Sequence, residues 1–186
     1  MNRKEEVKEK IDTGLNVYTN VKEWINNADL KISILAAFMA IILGYIIVDS
    51  NSNVIDKIIN VINNGYISKI HVIKGILVLA LYSTTLLSII KLLEALKAKI
   101  NIKEYKDKKI TTNSLMFYGS ISNLDYSEYI NKVKNQSEES KMNDIYSQIY
   151  INSKICNKKF KCYNLGLDLG KISIVLLCIC KVFAII

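Results

Sequence analysis

Apolar residues in this chain are gathered into long blocks separated by polar stretches rich in Lys and Asn. Ile32 to Val48 is seventeen residues without a charge. At about 1.5 Å per residue it reaches roughly 25 Å, slightly less than a bilayer core of about 30 Å. Leu30 and the aliphatic stem of Lys31 extend it, because a long cationic side chain can lie along apolar surroundings with its head in water. Gly75 to Ile90 is a second block of sixteen residues, with Ile70 and Ile73 before it, Leu92 and Leu93 after it, and Lys74 and Lys91 at its ends. Leu165 to Ile186 is long enough for a third, although it carries Asp168, Lys171 and Lys181. Asp168 and Lys171 are one helical turn apart and suited to pair, and Lys181 can reach the opposite interface. A buried core helix is the alternative for the first block, and a helix lying in the interface is the alternative for the third.

The remaining pattern is helical. Val7, Ile11, Leu15, Tyr18, Val21 and Ile25 recur at three- and four-residue steps and make one apolar stripe, and Trp24 before the first span fits a headgroup-level anchor. Helical pattern runs past the second span through Leu92, Leu93, Leu96 and Ile100, and Lys106 to Asn113 reads as a polar connection. Leu115 to Ile121 reads as a short buried loop or extended piece with a turn at Gly119. Asp125 and Glu128 have capping-box spacing, with Tyr129, Ile130 and Val133 on the apolar side. From Glu138 no proline or glycine occurs before Gly166, which predicts one long helix running into the third span. The fold expected is all-α: a helical integral membrane protein with three transmembrane helices and a helical cytoplasmic region formed by the N-terminal helix and helix extensions. Its parts are an amphipathic helix over 1–29, spans over 30–48, 73–93 and 165–186, an extracytoplasmic loop over 49–72 and a cytoplasmic region over 94–164.

Charge orients this arrangement. Lys and Arg favour the cytoplasmic side and acids count little. Residues 1–31 hold six bases, 49–72 hold two and 91–171 hold fifteen. The N-terminus and the long connection are therefore expected in the cytoplasm, and the C-terminus outside, in a bacterial inner membrane. A cleaved signal peptide does not fit the first block, since the polar run Asp49-Ser50-Asn51-Ser52-Asn53 follows it.

The formal net charge of +8 rests on 24 Lys and one Arg, beside 32 Ile and 19 Asn in 186 residues. That usage reflects an AT-rich coding sequence, and lysine lacks the planar fork that reads phosphates and base edges, so no nucleic-acid polymer is expected as partner. His71 is the only histidine. Cys156, Cys162, Cys178 and Cys180 lack paired CxxC spacing, and no Walker A or GxGxxG sequence occurs. No catalytic residue, no metal site and no cofactor is expected, and the chain is not read as an enzyme. Small residues recur four apart at Ala36, Ala40 and Gly44, at Ala80, Thr84 and Ser88, and at Gly166 and Gly170. Such ridges let helix backbones approach in lipid, either within one chain or between copies in a homo-oligomer.

Three segments carry a resemblance. Ala28-Asp29-Leu30-Lys31-Ile32-Ser33 resembles the A-D-x-K-x-S signature of the Pycsar effector transmembrane family, which more often has Thr at the position of Leu30. Leu115 to Ile121, with Phe117 and Gly119, followed by Glu128 and Tyr129, resembles that family's aromatic-glycine turn and its E-Y helix. Asp144-Ile145-Tyr146-Ser147-Gln148-Ile149, running on through Ser153 to Ile155 and then Lys158-Lys159-Phe160, resembles the Q-I-x-x-x-S-x-I-x-x-x-K-[YF] motif that leads into the final span. The matches occur in family order over residues 24–186. The resemblance implies an antiphage effector. A cyclase made by a neighbouring gene senses infection and produces cyclic CMP or cyclic UMP. The membrane protein answers by impairing inner-membrane integrity, giving growth arrest or abortive infection.

A cyclic pyrimidine nucleotide needs an aromatic face, polar edges and a cation or N–H groups for its phosphate. Trp24, Lys31, Phe117, Tyr118, Gln148 and Lys159 are suitable types on the expected cytoplasmic side. Other roles compete: core packing for Phe117 and Tyr118, a cap with a snorkelling anchor for Asp29 and Lys31, and buried interhelical hydrogen bonds for Gln148 and Ser153. The competing class is a small structural membrane subunit, or a constitutive toxin-like pore former without ligand gating.

Overall fold

In the computed structural model, residues 3–64, 69–97, 110–183 and 185 are described. Five helices lie among them: α1 (Arg3–Asn64), α2 (Lys69–Leu96), α3 (Tyr118–Ile121), α4 (Tyr126–Lys134) and α5 (Glu138–Val182). No strand occurs among the described residues, and the protein is an all-α membrane protein.

The continuity of α1 departs from the sequence reading in two places. The boundary expected between the amphipathic helix and the first span is absent. The segment expected as a loop over 49–72 is helical as far as Asn64. The polar run after Val48 changes the surroundings that suit the helix but not its backbone. No glycine or proline occurs between Gly44 and Gly65, and Val54, Ile58 and Ile62 recur at four-residue steps. The described part of the helix runs to Asn64. The continuation expected at Ile100 and the connection over 106–109 lie outside the described residues. So does the side chain of His71.

Two compact units divide the chain: Met1–Ala28 with Ala98–Lys158, and Asp29–Lys97 with Lys159–Ile186. Both α1 and α5 contribute to each. In the first unit the predicted stripe faces inward: Ile11 and Val21 are buried and Val7, Leu15, Tyr18 and Ile25 half-buried. Gly14 on the same face is a contact point. A Cβ there would stand 3.0 Å from Ile145 Cγ2, so the missing side chain lets α5 approach. Trp24 faces outward at 57% exposure.

The second unit is apolar both inside and out. Ile32, Met39 and Ile46 of α1, Leu81 and Leu92 of α2 and Cys180 of α5 are fully buried. Ile41, Val48, Leu79 and Val175 are exposed at 71%, 75%, 68% and 58%, a surface that water would not tolerate but lipid would. The polar groups lie inside. Ser88 donates to the Gly166 carbonyl at 2.7 Å, and the hydroxyls of Thr85 and Ser173 meet at 2.5 Å. Packing and interhelical hydrogen bonds, rather than the hydrophobic effect, hold helices together in a bilayer.

The small-residue ridges separate into two kinds. Gly166 and Gly170 are buried against the chain's own helices. A Cβ on Gly166 would lie 2.9 Å from Leu92, and one on Gly170 would lie 3.1 Å from Met39 Sδ. Ala40 and Gly44 are exposed, and nothing lies within 4 Å of a Cβ built on Gly44. Two described helical segments, within Glu5–Val48 and Val72–Leu96, are long and apolar enough to cross a membrane. The end of α5 is not among these segments, and it carries Asp168, Lys171 and Lys181. The expected Asp168–Lys171 pair forms at 2.9 Å on the surface, and Lys181 Nζ lies 5.1 Å from the Tyr45 ring centroid.

Replacing Gly166 by Leu should therefore destabilise the detergent-solubilised protein by about 1–3 kcal/mol, as overpacking does. Gly44→Ala should be neutral or stabilise by up to about 1 kcal/mol through helix propensity. Thermal unfolding followed by helical circular dichroism checks both, and equal melting temperatures for the two variants would contradict the packing described.

Candidate functional site

Two polar clusters stand out, one in each unit. The first is built on Lys159, a residue of α5 that is only 5% exposed. Its Nζ meets Asp29 Oδ1 at 2.5 Å and the carbonyl oxygens of Ala95 and Leu96 at 3.3 Å each. An ammonium has three donors, and all three find acceptors. The two carbonyls belong to the last turn of α2, where helical carbonyls lack intrahelical partners and a cation is favoured by the helix dipole. One side chain thus ties α1, α2 and α5 together. Ala28, which precedes the aspartate, is 1% exposed. Lys31 and Ser33 face outward. Lys159, expected from its type to meet a phosphate, has no donor left for one in this conformation.

The second cluster lies on α5 and the segment that precedes α3. Asp144, Ser147 and Gln148 share one helix face and are 1%, 8% and 5% exposed, and Ser114 is fully buried. Asp144 Oδ2 accepts from the Leu115 backbone N–H at 2.9 Å, and Ser147 Oγ accepts from the Thr111 N–H at 3.0 Å. Ser147 donates in turn to the Asn143 carbonyl at 2.7 Å. Ser114 Oγ accepts from the Met116 N–H at 3.0 Å. Asp144 Oδ1 is buried and has no hydrogen-bond partner.

The candidate ligand residues divide between the units: Trp24, Phe117, Tyr118 and Gln148 belong to the first, Lys31 and Lys159 to the second. Phe117 and Tyr118 were expected to be buried. They are 37% and 80% exposed, with ring centroids 4.7 Å apart. The turn expected at Gly119 is the short helix α3, and a Cβ on Gly119 would stand 2.6 Å from the Phe117 ring. That close ring is why the motif pairs an aromatic with glycine. The capping box does not form. Asp125 occupies the N-cap of α4 without a side-chain cap bond, and Glu128 pairs instead with Lys132 at 2.7 Å. Tyr129 and Ser153 are half-buried.

Asp144 and Ser147 lie inside the third motif segment, yet neither they nor Ser114 draw a role from the sequence. A signal was available: an acid on the face of α5 that also carries Ile145 and Gln148, three residues before a serine. Among the described residues no group of three His, Cys, Asp or Glu side chains is placed to hold a metal ion. The four cysteines are free thiols. On the surface of the first unit, Glu6 and Lys10 pair at 2.7 Å. Their hydrogen bond, then their opposite charge, lowers the glutamate pKa and raises the lysine pKa.

The chain matches the model of the Pycsar effector protein domain over residues 14–186. It is also similar to the Pycsar effector protein GmPycTM of Gulbenkiania mobilis, at 30% identity over 155 residues, covering 78% of each chain. No solved structure matches it.

The geometry around Lys159 sets an order of mutational effects. Asp29→Ala leaves a buried ammonium with two carbonyls and no counter-charge, and should cost about 3 kcal/mol, the lower end of a broken buried pair. Lys159→Met removes the buried charge and leaves an aspartate whose side chain is 39% exposed and hydrated, so it should cost only about 1 kcal/mol. Denaturation of both variants in detergent checks the order, and the reverse order would show that the lysine is not the buried partner.

Proposed function

Because the chain belongs to the Pycsar effector family, an antiphage effector role follows from membership, and we propose that it acts by answering a cyclic pyrimidine nucleotide, cyclic CMP or cyclic UMP, with damage to the inner membrane. The observation that carries this reading is the extent of the family match, which runs through the whole of α2 to α5 and most of α1. A ligand-biased two-state membrane assembly is the mechanism. The first unit receives the nucleotide. The continuous helices α1 and α5 carry the response into the apolar unit without a flexible linker.

In this reading the chain is not an enzyme, and its regulatory ligand takes the place of a cofactor. The N-terminus and the lysine-rich 94–164 region lie in the cytoplasm, where a neighbouring-gene cyclase releases the nucleotide. The end of α5 makes a third crossing that leaves the C-terminus outside. The pair Asp168–Lys171 and the cation over Tyr45 support that crossing, since both reduce the cost of charges near lipid. The exposed Ala40–Gly44 ridge supports contact between copies in a homo-oligomer.

Liposomes loaded with a self-quenched dye test the proposal. Protein reconstituted in them should release dye on addition of micromolar cyclic CMP or cyclic UMP and not on addition of cyclic AMP. Release without any nucleotide would favour the constitutive pore former. No release with correctly inserted protein would remove the proposal.

A further inference from the structure

Asp144 is the polar group that the fold leaves unanswered. Buried polar atoms almost always have partners, and each exception needs a physical reason. Asp144 Oδ2 holds the Leu115 N–H at 2.9 Å, whereas Oδ1, equally buried, holds nothing. An ionised carboxylate oxygen only accepts, so the group that completes it must bring an N–H or O–H.

The surroundings narrow that group further. Gln148 lies one helical turn on, buried at 5% exposure, and its amide offers both a donor and an acceptor. The hydroxyls of Ser114 and Ser147 already hold backbone N–H groups at 3.0 Å each. Beside the Ser114 hydroxyl proton there remain one bare acceptor and one amide, an arrangement that suits the edge of a single heteroaromatic ring. The covering segment, residues 110–117, has no helix of its own. Its described hydrogen bonds to α5 are those of the Leu115 and Thr111 N–H groups, so lifting it breaks these two bonds, whereas the packing of Ile145 against Gly14 holds α5 independently of it. Phe117 and Tyr118, at the end of that segment, are exposed aromatic faces.

We infer that the face of α5 bearing Asp144 and Gln148, under the 110–117 segment, is the nucleobase-binding site, with Asp144 Oδ1 reading an N–H of the pyrimidine. The inference rests on the proposal that a cyclic pyrimidine nucleotide is the signal. Either base can meet it: cytosine through its exocyclic amino group, as carboxylates do elsewhere, and uracil through its ring N3–H. Gln148 turns its amide to match the neighbouring ring nitrogen or carbonyl.

The test uses the full-length protein in detergent micelles and measures binding by calorimetry. The probes are cyclic CMP, cyclic UMP, cyclic CMP dimethylated on N4 and cyclic UMP methylated on N3, the last two lacking the donor. Unmodified protein should bind its parent nucleotide at least about tenfold more tightly than the methylated form, the scale of one hydrogen bond to a charged group. Asp144→Asn keeps an oxygen for the Leu115 N–H and turns the bare position into a donor. It should lose the discrimination between parent and methylated nucleotide while keeping its helical circular dichroism. A methylated nucleotide that binds unmodified protein as well as its parent would overturn the site and leave the proposed signal standing. So would undiminished discrimination in Asp144→Asn. If unmodified protein binds neither parent nucleotide, both the site and the proposed signal fall. The comparison on unmodified protein decides the matter even where the variant does not fold.

Discussion

A buried ammonium must be ringed by acceptors, and the apolar half of this protein is organised around meeting that demand. Lys159 reaches three oxygens from two other helices. Taking a charge out of water is expensive, and the attraction of a single partner rarely offsets it. The carbonyls at the end of α2 supply the rest, and they are groups that would otherwise lack partners. The arrangement solves two problems with one side chain, because the helix end and the cation each complete what the other leaves open. It also ties the aspartate of one sequence motif to the lysine of another 130 residues later.

Outside that point, the unit follows the chemistry of a lipid solvent. Its outward surface carries Ile, Leu and Val, while its hydroxyls pair inward. Glycines at 166 and 170 mark where α5 lies closest to Leu92 and Met39. The other unit follows the chemistry of water: its apolar stripe is inside, and its charged residues pair at the surface.

Much of this was legible in the residues. Periodicity identified the stripe on α1, the length of α5 and the Asp168–Lys171 pair, because each depends only on helical spacing. Composition misplaced the end of α1, because a polar run such as Asp49 to Asn53 speaks of solvent and not of backbone conformation. Motif spacing brought Asp29 and Lys159 forward together, yet only packing revealed that they touch. The chemical type of Lys159 suits a phosphate, and in the fold its ammonium is held by Asp29 and two carbonyls. Asp144 lies within a motif segment yet draws no role from the sequence, for the opposite reason. An acid on a charged-looking helix reads as solvated until the fold covers it. For Phe117 the sequence leaves ligand contact and core packing side by side, and the fold sets its partly exposed ring against Gly119.

The absence of any proline, and of any glycine between Gly14 and Gly44, bears on how α1 can move. Sharp kinks need proline, glycine–serine pairs or an inserted group, and this stretch has none of the residues that supply them. A rod of that kind responds to force by turning about its axis or sliding along it. Asp29 lies on this stretch and the lysine it meets belongs to α5, so any turning or sliding of α1 at that point works against the ion pair.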